Sequence, residues 1–339
     1  MTGKKKKKAS AGPIAHVVLI IKENHAFDNY FGTFSGANGV HLAHSSNPPP
    51  QDPDHSHGAW LTRETTAVRT QFVEADIPAY FAYARQFTLC DNYFTDVAGP
   101  STPNHLMLIA AASPVIVNPP RSAGGGAVFK LPSLPLALER ANVSWRNYGG
   151  YAFDLIAELR GRPTLASAQF AKDAALGNLP AVAWVYAPHD ASEHPPGPGD
   201  RGTPLVGNVT HGMQWTVDQV NAVVQGALWP STAIFITWDD WGGWFDHVAP
   251  PNVEAWHDDG THPAWNGTQF RYGTRVGCLA LSPYAKAGYI SRALHSHVSL
   301  LRFCETTFGL PTLNARDASA NDMADCFDYS QRPAPPPHG

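Results

Sequence analysis

The segment Asp239-Asp240-Trp241-Gly242-Gly243-Trp244-Phe245-Asp246-His247-Val248-Ala249-Pro250-Pro251 carries the most specific chemical signal in the chain. Two adjacent carboxylates repel each other unless a cation lies between them. The glycine pair lets the backbone turn sharply and is expected to return Asp246-His247 toward the same point. A second segment, Glu23-Asn24-His25-Ala26-Phe27-Asp28-Asn29-Tyr30-Phe31-Gly32, offers a hard anionic oxygen at Glu23 and a neutral carbonyl oxygen at Asn24. Both suit a divalent cation; the alternative is a helix capped by Asn24 with Phe27, Tyr30 and Phe31 in the core. The third segment is Asp96-Val97-Ala98-Gly99-Pro100-Ser101-Thr102-Pro103-Asn104-His105. Gly99-Pro100 makes a rigid turn that presents Ser101. A hydroxyl beside a metal loses its proton readily and becomes a nucleophile without a histidine base. Ser101 also suits the cap of a helix beginning near Pro103, and the two roles are compatible because a helix amino terminus favours developing negative charge.

Histidines gather in three further stretches: Asp52-Pro53-Asp54-His55-Ser56-His57, His189-Asp190-Ala191-Ser192-Glu193-His194-Pro195-Pro196 and His295-Ser296-His297-Val298-Ser299. Imidazoles donate hydrogen bonds to a phosphoryl group or protonate a leaving oxygen, although an isolated surface histidine ordinarily does neither. The cysteines, Cys90, Cys278, Cys304 and Cys326, are widely spaced and form no CxxC pair. That spacing disfavours a zinc knuckle or redox motif and reads as buried free thiols, with a disulfide left open.

Chemistry of this kind needs a frame. Residues 14 to 21 form a continuous apolar run, as do Ala233 to Trp238 and Val276 to Leu281; such runs suit buried parallel strands. Helix-like stretches cover Ile77 to Phe87, Leu134 to Ala141, Phe153 to Leu159, Trp215 to Ala227 and Ser299 to Phe308. Alternation of this sort predicts an α/β fold with a mainly parallel central sheet flanked by helices. Ligands in such folds bind beyond the carboxyl ends of the strands. The first two apolar runs end there, in Lys22-Glu23-Asn24 and Asp239-Asp240; the third ends in Ser282-Pro283. The long stretches Phe34 to Trp60, Val115 to Lys130, Pro188 to Gly212 and Val248 to Phe270 read as loops over the active site. One catalytic domain is expected over residues 13–330, after a disordered basic tail at 1–12 that holds Lys4 to Lys8. A Pro-rich tail at 331–339 is expected to be extended and poorly ordered.

The chain has 339 residues, 43% hydrophobic and 15% charged, enough for a sizeable core and an elaborate loop surface. Its net charge of -4 disfavours a general nucleic-acid binder. No apolar run reaches the roughly 20 residues of a membrane span, and no signal-peptide core precedes a cleavage site. The chain as given reads as soluble and cytoplasmic, with its oligomeric state left open.

Taken in order, these segments resemble the phosphoesterase family of bacterial phospholipases C, plant non-specific phospholipases C and the related bacterial acid phosphatase. The matching residues run from Glu23-Asn24 with Phe27-Asp28, Tyr30-Phe31-Gly32, through Gly99-Pro100-Ser101 with Pro103-Asn104, to Asp239-Asp240 with Gly242-Gly243, Phe245-Asp246-His247-Val248 and Pro250-Pro251. Asp52-Pro53 with His55, Glu193-His194-Pro195-Pro196, Arg275-Val276, Ser282-Pro283-Tyr284 and His297 with Ser299 also fit. The resemblance implies an alkaline-phosphatase-like α/β fold and hydrolysis of phosphate esters or phospholipids through a phosphoserine on Ser101. It further implies a divalent metal, of unspecified identity, on Glu23, Asn24, Asp239 and Asp240. His55, His194 and His297 would hold phosphate or assist proton transfer, with Asn24, His55, His194 and His247 binding substrate, or His247 ordering the site instead. The departures are Ser101 where many phospholipases of the family have Thr, Asp240 where they have Glu, and His105 for a frequent Arg. The first two resemble the acid phosphatase branch. The family is often exported, which sets it against the cytoplasmic reading. The alternatives are a sulfatase or phosphodiesterase on the same scaffold, or a non-catalytic phosphate-binding relative. Ser101-Thr102-Pro103-Asn104-His105 lacks the arginine of the sulfatase pattern. Trp60, Trp256 and Trp265 would rim the site if their loops overhang Ser101, or else pack those loops.

Overall fold

The computed structural model describes residues 12–120, 126–200, 202–257 and 260–337, so the basic run Lys4 to Lys8 lies outside the described residues. Eight strands form the central sheet: β1 (His16–Lys22), β2 (Thr88–Cys90), β3 (Trp145–Tyr148), β4 (Thr164–Leu165), β5 (Val182–Tyr186), β6 (Thr232–Trp238), β7 (Cys278–Leu281) and β8 (Tyr289–Ser291). Their order is β8-β2-β7-β6-β1-β5-β3-β4. The two longest, β1 and β6, are rich in β-branched residues and buried nearly throughout. They sit at the centre, where both faces are covered.

Seven strands run one way and β7 runs against both of its neighbours. The chain leaves β6 at one edge of the sheet and re-enters beside it from that same edge, which requires an antiparallel pairing. The start of the third apolar run, Arg275-Val276, therefore lies level with Asp239, and Ser282-Pro283 lies at the far end. This corrects the grouping of its carboxyl end with those of β1 and β6.

The helices that matter for the site are α1 (Phe27–Phe31), α2 (Pro78–Gln86), α3 (Ser101–Ala110), α4 (Leu134–Arg140), α5 (Ser167–Ala175), α6 (Val209–Gln225) and α7 (His297–Phe308). Expected helices appear at α2, α4, α6 and α7. The start of α6 lies at Val209 because the Asn208 side chain accepts from the His211 amide at 2.9 Å. The stretch from Phe153 to Leu159 forms only a short 3-10 turn, Ala152–Leu155. There Phe129 donates to Leu155 O at 2.7 Å and Ala157 donates to Phe129 O at 2.8 Å, diverting backbone groups that a helix would use. Residues 331–337 of the Pro-rich tail form no helix or strand, and they are tethered. Ala334 donates to Pro283 O at 2.8 Å and accepts from Trp229 Nε1 at 3.0 Å.

A fully buried ion pair lies where β1 ends. Lys22 Nζ is 3.2 Å from Glu193 Oε1, and it donates to Gly212 O at 2.9 Å and to Ala191 O. Glu193 also accepts from Tyr30 Oη at 2.9 Å, Tyr80 Oη at 2.6 Å and Trp238 Nε1 at 2.9 Å. Its backbone has φ of +76°, a costly conformation for a residue with a Cβ. The set of donors around its side chain holds it there. The pair thus binds the 188–212 loop to the ends of β1 and β6.

Removing one partner of such a pair leaves an uncompensated buried charge, which costs about 3–5 kcal/mol. Urea unfolding of Lys22→Met is expected to show a loss of that order. Lys22→Met combined with Glu193→Gln removes both charges, keeps one acceptor oxygen for Tyr30 and Trp238, and is expected to lose less. Equal losses would place the cost in packing.

Candidate active site

The parallel register sets Lys22 against Trp238, so Glu23-Asn24 and Asp239-Asp240 leave the sheet side by side. Asp239 N–H donates to Lys22 O at 2.9 Å, holding the two exits together. Ser101 is the first residue of α3, after Pro100, and its Oγ donates to Asp240 Oδ2 at 2.8 Å. The other oxygen of Asp240 accepts from Gly242 N at 2.7 Å. Gly242 has φ of +61°, and a Cβ there would fall 1.9 Å from Asn24 O, so the turn after Asp240 needs glycine.

Several buried polar atoms here have no hydrogen-bond partner among the described residues: both carboxylate oxygens of Asp239, Oδ1 of Asn24 and both ring nitrogens of His105. Unpaired buried acceptors are costly. Burial, then Asp240 and Glu23, hold the Asp239 carboxyl well above the usual range. Burial, opposed by His194 and reinforced by Asp240, likewise raises Glu23. Three crowded carboxylates and an orphaned amide oxygen form a donor set that fits a hard or borderline divalent cation. His105 Nε2 stands 3.4 Å from Asp239 Oδ2 and 3.9 Å from Glu23 Oε1. Burial, then His297, lowers the His105 pKa to about 3, so its imidazole is neutral with a lone pair available.

Over these groups lies a cleft of about 450 Å³ whose wall includes Glu23, Asp52, His55, Ser101, Tyr151 and His194. His55 Nδ1 donates to Pro53 O at 2.8 Å, which leaves Nε2 to accept from Asn24 Nδ2 at 3.2 Å. That contact turns Asn24 Oδ1 away from His55. His194 Nδ1 donates to Pro195 O at 2.7 Å, and the two imidazoles are 5.9 Å apart. Burial depresses His55, but Asp240 and Asp52 more than offset it and its pKa is raised.

The structure therefore brings together Glu23, Asn24, Ser101, Asp239, Asp240, His55 and His194. Two of the expected site residues, His297 and His247, do not line this cleft. His297 is fully buried behind the site, with Nε2 2.6 Å from Asp239 O and Nδ1 3.0 Å from Tyr93 Oη. It holds the backbone of Asp239 and does not line the cleft. His247 and Asp246 turn away as well. His247 Nδ1 is 2.6 Å from Asp28 Oδ2, while the buried Arg275 bonds Asp28 Oδ1 and Asp246 Oδ1, each at 3.1 Å. This carboxylate pair is bridged by a guanidinium, and it fixes α1 and the turn after β6. The tryptophans pack their loops: Trp60 and Trp256 are buried, and Trp265 stacks on His262 with ring centroids 4.5 Å apart. The apolar wall of the cleft comes from Pro119, Pro120, Ala127, Tyr151 and Leu155.

Sequence reasoning missed His105 as a site residue, although its place four residues after Ser101 puts it on the same face of α3. It also missed Tyr151, whose hydroxyl is 2.8 Å from Thr102 Oγ1, and Asn118, whose Oδ1 accepts from Thr102 N at 2.8 Å. Neither contact has a local signal, since both loops meet α3 only through the fold.

The model of the phosphoesterase family matches residues 14–55 and 51–311. The chain belongs to the phosphoesterase family. Phospholipase C B of Mycobacterium tuberculosis is 27% identical, over 95% of this chain and 79% of that protein. Non-hemolytic phospholipase C of Pseudomonas aeruginosa is 26% identical, over 94% of this chain and 57% of that protein. Non-specific phospholipase C6 of Arabidopsis thaliana is 23% identical, over 95% of this chain and 73% of that protein. Among solved structures, murine ectonucleotide pyrophosphatase/phosphodiesterase 5 superposes with a TM-score of 0.54 at 10% identity, over 92% of this chain and all of that one. The PsFucS1 sulfatase from Pseudoalteromonas sp. gives 0.51 at 12% identity, over 87% of this chain and 68% of that one. These two share the fold, and the expected α/β architecture, a mainly parallel central sheet flanked by helices, is the one found. The phosphoesterase is a hydrolase of phosphoric esters. Among its described residues no helix is long and apolar enough to cross a membrane.

The placement of His247 is open to a direct check. His247→Gln is expected to lower the stability of this phosphoesterase modestly, by about 1 kcal/mol, and to leave KM for a soluble aryl phosphate unchanged. A raised KM with unchanged stability would return His247 to the cleft.

Proposed function

We propose that this phosphoesterase cleaves phosphate esters, phospholipid head groups among them, by transferring the phosphoryl group to Ser101 while Glu23, Asn24, Asp239 and Asp240 hold a divalent cation. One observation carries the reading: Ser101 Oγ donates to Asp240 at 2.8 Å beside the buried, unpartnered carboxylate of Asp239 and the unpartnered Oδ1 of Asn24. When bound, the ion supplies positive charge that favours the ionised serine and offsets charge on the phosphoryl oxygens.

The remaining chemistry falls to the chain's own residues. Ser101 Oγ passes its proton to Asp240 Oδ2 and forms a bond to phosphorus as the ester P–O bond breaks, and the departing oxygen takes a proton. His194 stands on the cleft wall to donate a hydrogen bond to the phosphoryl group or that proton to the leaving oxygen, and His55 does so once its Nε2 carries a proton in place of the Asn24 contact. The amino terminus of α3 places the positive end of its dipole at the serine, which favours a bound phosphoryl group. Water then attacks phosphorus, releases phosphate or a phosphorylated head group and restores Ser101. His297 acts through Asp239, whose carbonyl it fixes.

The substrate class rests on the relatives, which are named phospholipases C, and on the cleft. A volume of about 450 Å³ with apolar residues along one wall suits a phosphorylated head group with its glycerol end outward. Phosphatidylcholine is expected to be cleaved faster than a small aryl phosphate, and aryl sulfate not at all. Faster turnover of aryl sulfate than of every phosphate ester would move the chain to the sulfatase reading.

Ser101→Ala is expected to lower turnover by about 10³-fold or more and to abolish acid-stable phosphate labelling of the Ser101 peptide in quenched reactions. Activity within a few-fold of the unaltered enzyme would remove Ser101 as nucleophile. Asp239→Ala and Asp240→Ala are each expected to lose the ion by elemental analysis and to lose turnover. Full occupancy in both would contradict the ligand assignment. Chelation followed by re-addition of metal is expected to remove and restore activity, and unchanged turnover after chelation would refute metal dependence.

A further inference from the structure

A second set of metal-ligating side chains lies off the cleft, where β2 and β7 pair. Cys90 and Cys278 are directly opposite in that antiparallel register, so their side chains share one face of the sheet. The 3-10 turn Ala324–Cys326 packs against the same place, with Cys90 Sγ 3.7 Å from Cys326 Sγ. All three thiols are buried and free. His295 completes the group: ligand atoms of Cys90, Cys326 and His295 all lie within 4.8 Å of one another. Asp325 adds a carboxylate, with Oδ1 2.9 Å from His295 Nε2 and 3.8 Å from Cys326 Sγ.

One side of the imidazole is satisfied, since His295 Nε2 bonds Asp325 Oδ1 and stands 3.3 Å from Ser291 Oγ, and the other is not. His295 is 1% exposed, yet its Nδ1 has no hydrogen-bond partner among the described residues. Thiols are weak donors and weaker acceptors. A tetrahedral ion with metal–sulfur bonds of about 2.3 Å holds two sulfurs about 3.8 Å apart, and Cys90 and Cys326 already stand at that spacing. A disulfide would need about 2.05 Å and would leave the imidazole as it is.

We propose that Cys90, Cys326 and His295, with Asp325 beside them, form a second metal site that takes a soft or borderline divalent ion of the zinc class. Its sulfur and nitrogen donors distinguish it from the oxygen-rich set at Ser101. Binding releases the two thiol protons to solvent and changes no oxidation state. The ion ties the carboxyl-terminal turn to β2 and to His295, two residues before the His297 that bonds Asp239 O. Its role is to brace the edge of the sheet from which α7 departs.

Cobalt(II) separates the two sites, because thiolate ligation gives an intense sulfur-to-metal charge-transfer band and oxygen ligation does not. The full chain, purified under reducing conditions and loaded with cobalt(II), is expected to show that band. Asp239→Ala should keep it, and Cys326→Ser or Cys90→Ala should abolish it. His295→Gln, which leaves both thiols in place, should weaken or shift it, covering the case in which a cysteine variant fails to fold. Absence of the band in the unaltered chain overturns the proposal. So does a Cys90–Cys326 cross-linked peptide, two hydrogens lighter than its reduced halves, in protein isolated without reductant.

Discussion

Lys22 pairs with Trp238 where β1 and β6 end, and the amide of Asp239 is bonded back to the carbonyl of Lys22. That single parallel register delivers Glu23 and Asp239 to the same level, with Asn24 and Asp240 one residue further on. Like charges are thereby forced together before any side chain has chosen its rotamer. In a buried setting such crowding is destabilising by itself. The rest of the local structure answers it. Ser101 donates to Asp240, Gly242 lets the chain turn over Asn24, and His55 orients the amide so that its oxygen stays available. The fold supplies the strain, and the cation proposed for the site would relieve it.

Two other groups of buried carboxylates are neutralised by the protein's own cations. Asp28 and Asp246 share Arg275, which enters from the start of the antiparallel β7, and Glu193 is matched by Lys22. Lys22 is the last residue of β1, and Arg275 stands three residues before β7. The positions are economical: the same strand ends that carry the site also carry the charges that hold its surrounding loops. Contrast between these pairs and the unmatched Asp239 is the strongest electrostatic argument for where an ion belongs.

Much of this was legible in the sequence, because the central strands are long apolar runs and the acidic residues follow them immediately. The metal-ligand candidates, Ser101, His55 and His194 were all readable, and they do converge. Strand β5 was passed over although Val182–Tyr186 is wholly buried, since its run is short and flanked by no acidic motif. Helix α3 gave no amphipathic pattern because every one of its residues is buried. Direction misled most. A periodicity does not say which way a strand runs, so the role of Arg275 at the start of β7 could not be seen. Nor could the turn of Asp246-His247 toward Asp28, which depends on that arginine. His297 was drawn to the site by its type, yet a histidine that steadies a ligand from behind has the same sequence signature as one that touches substrate.

The enclosure of α3 has a further consequence. A reactive group carried on an exposed loop can drift by local opening while the body of the protein stays folded. Ser101 begins a helix whose ten residues are all buried, so it has no low-energy path out of position. Its placement is as stable as the core itself. Heat should therefore displace the nucleophile only as the core itself melts, whatever the loops that carry His55 and His194 do first.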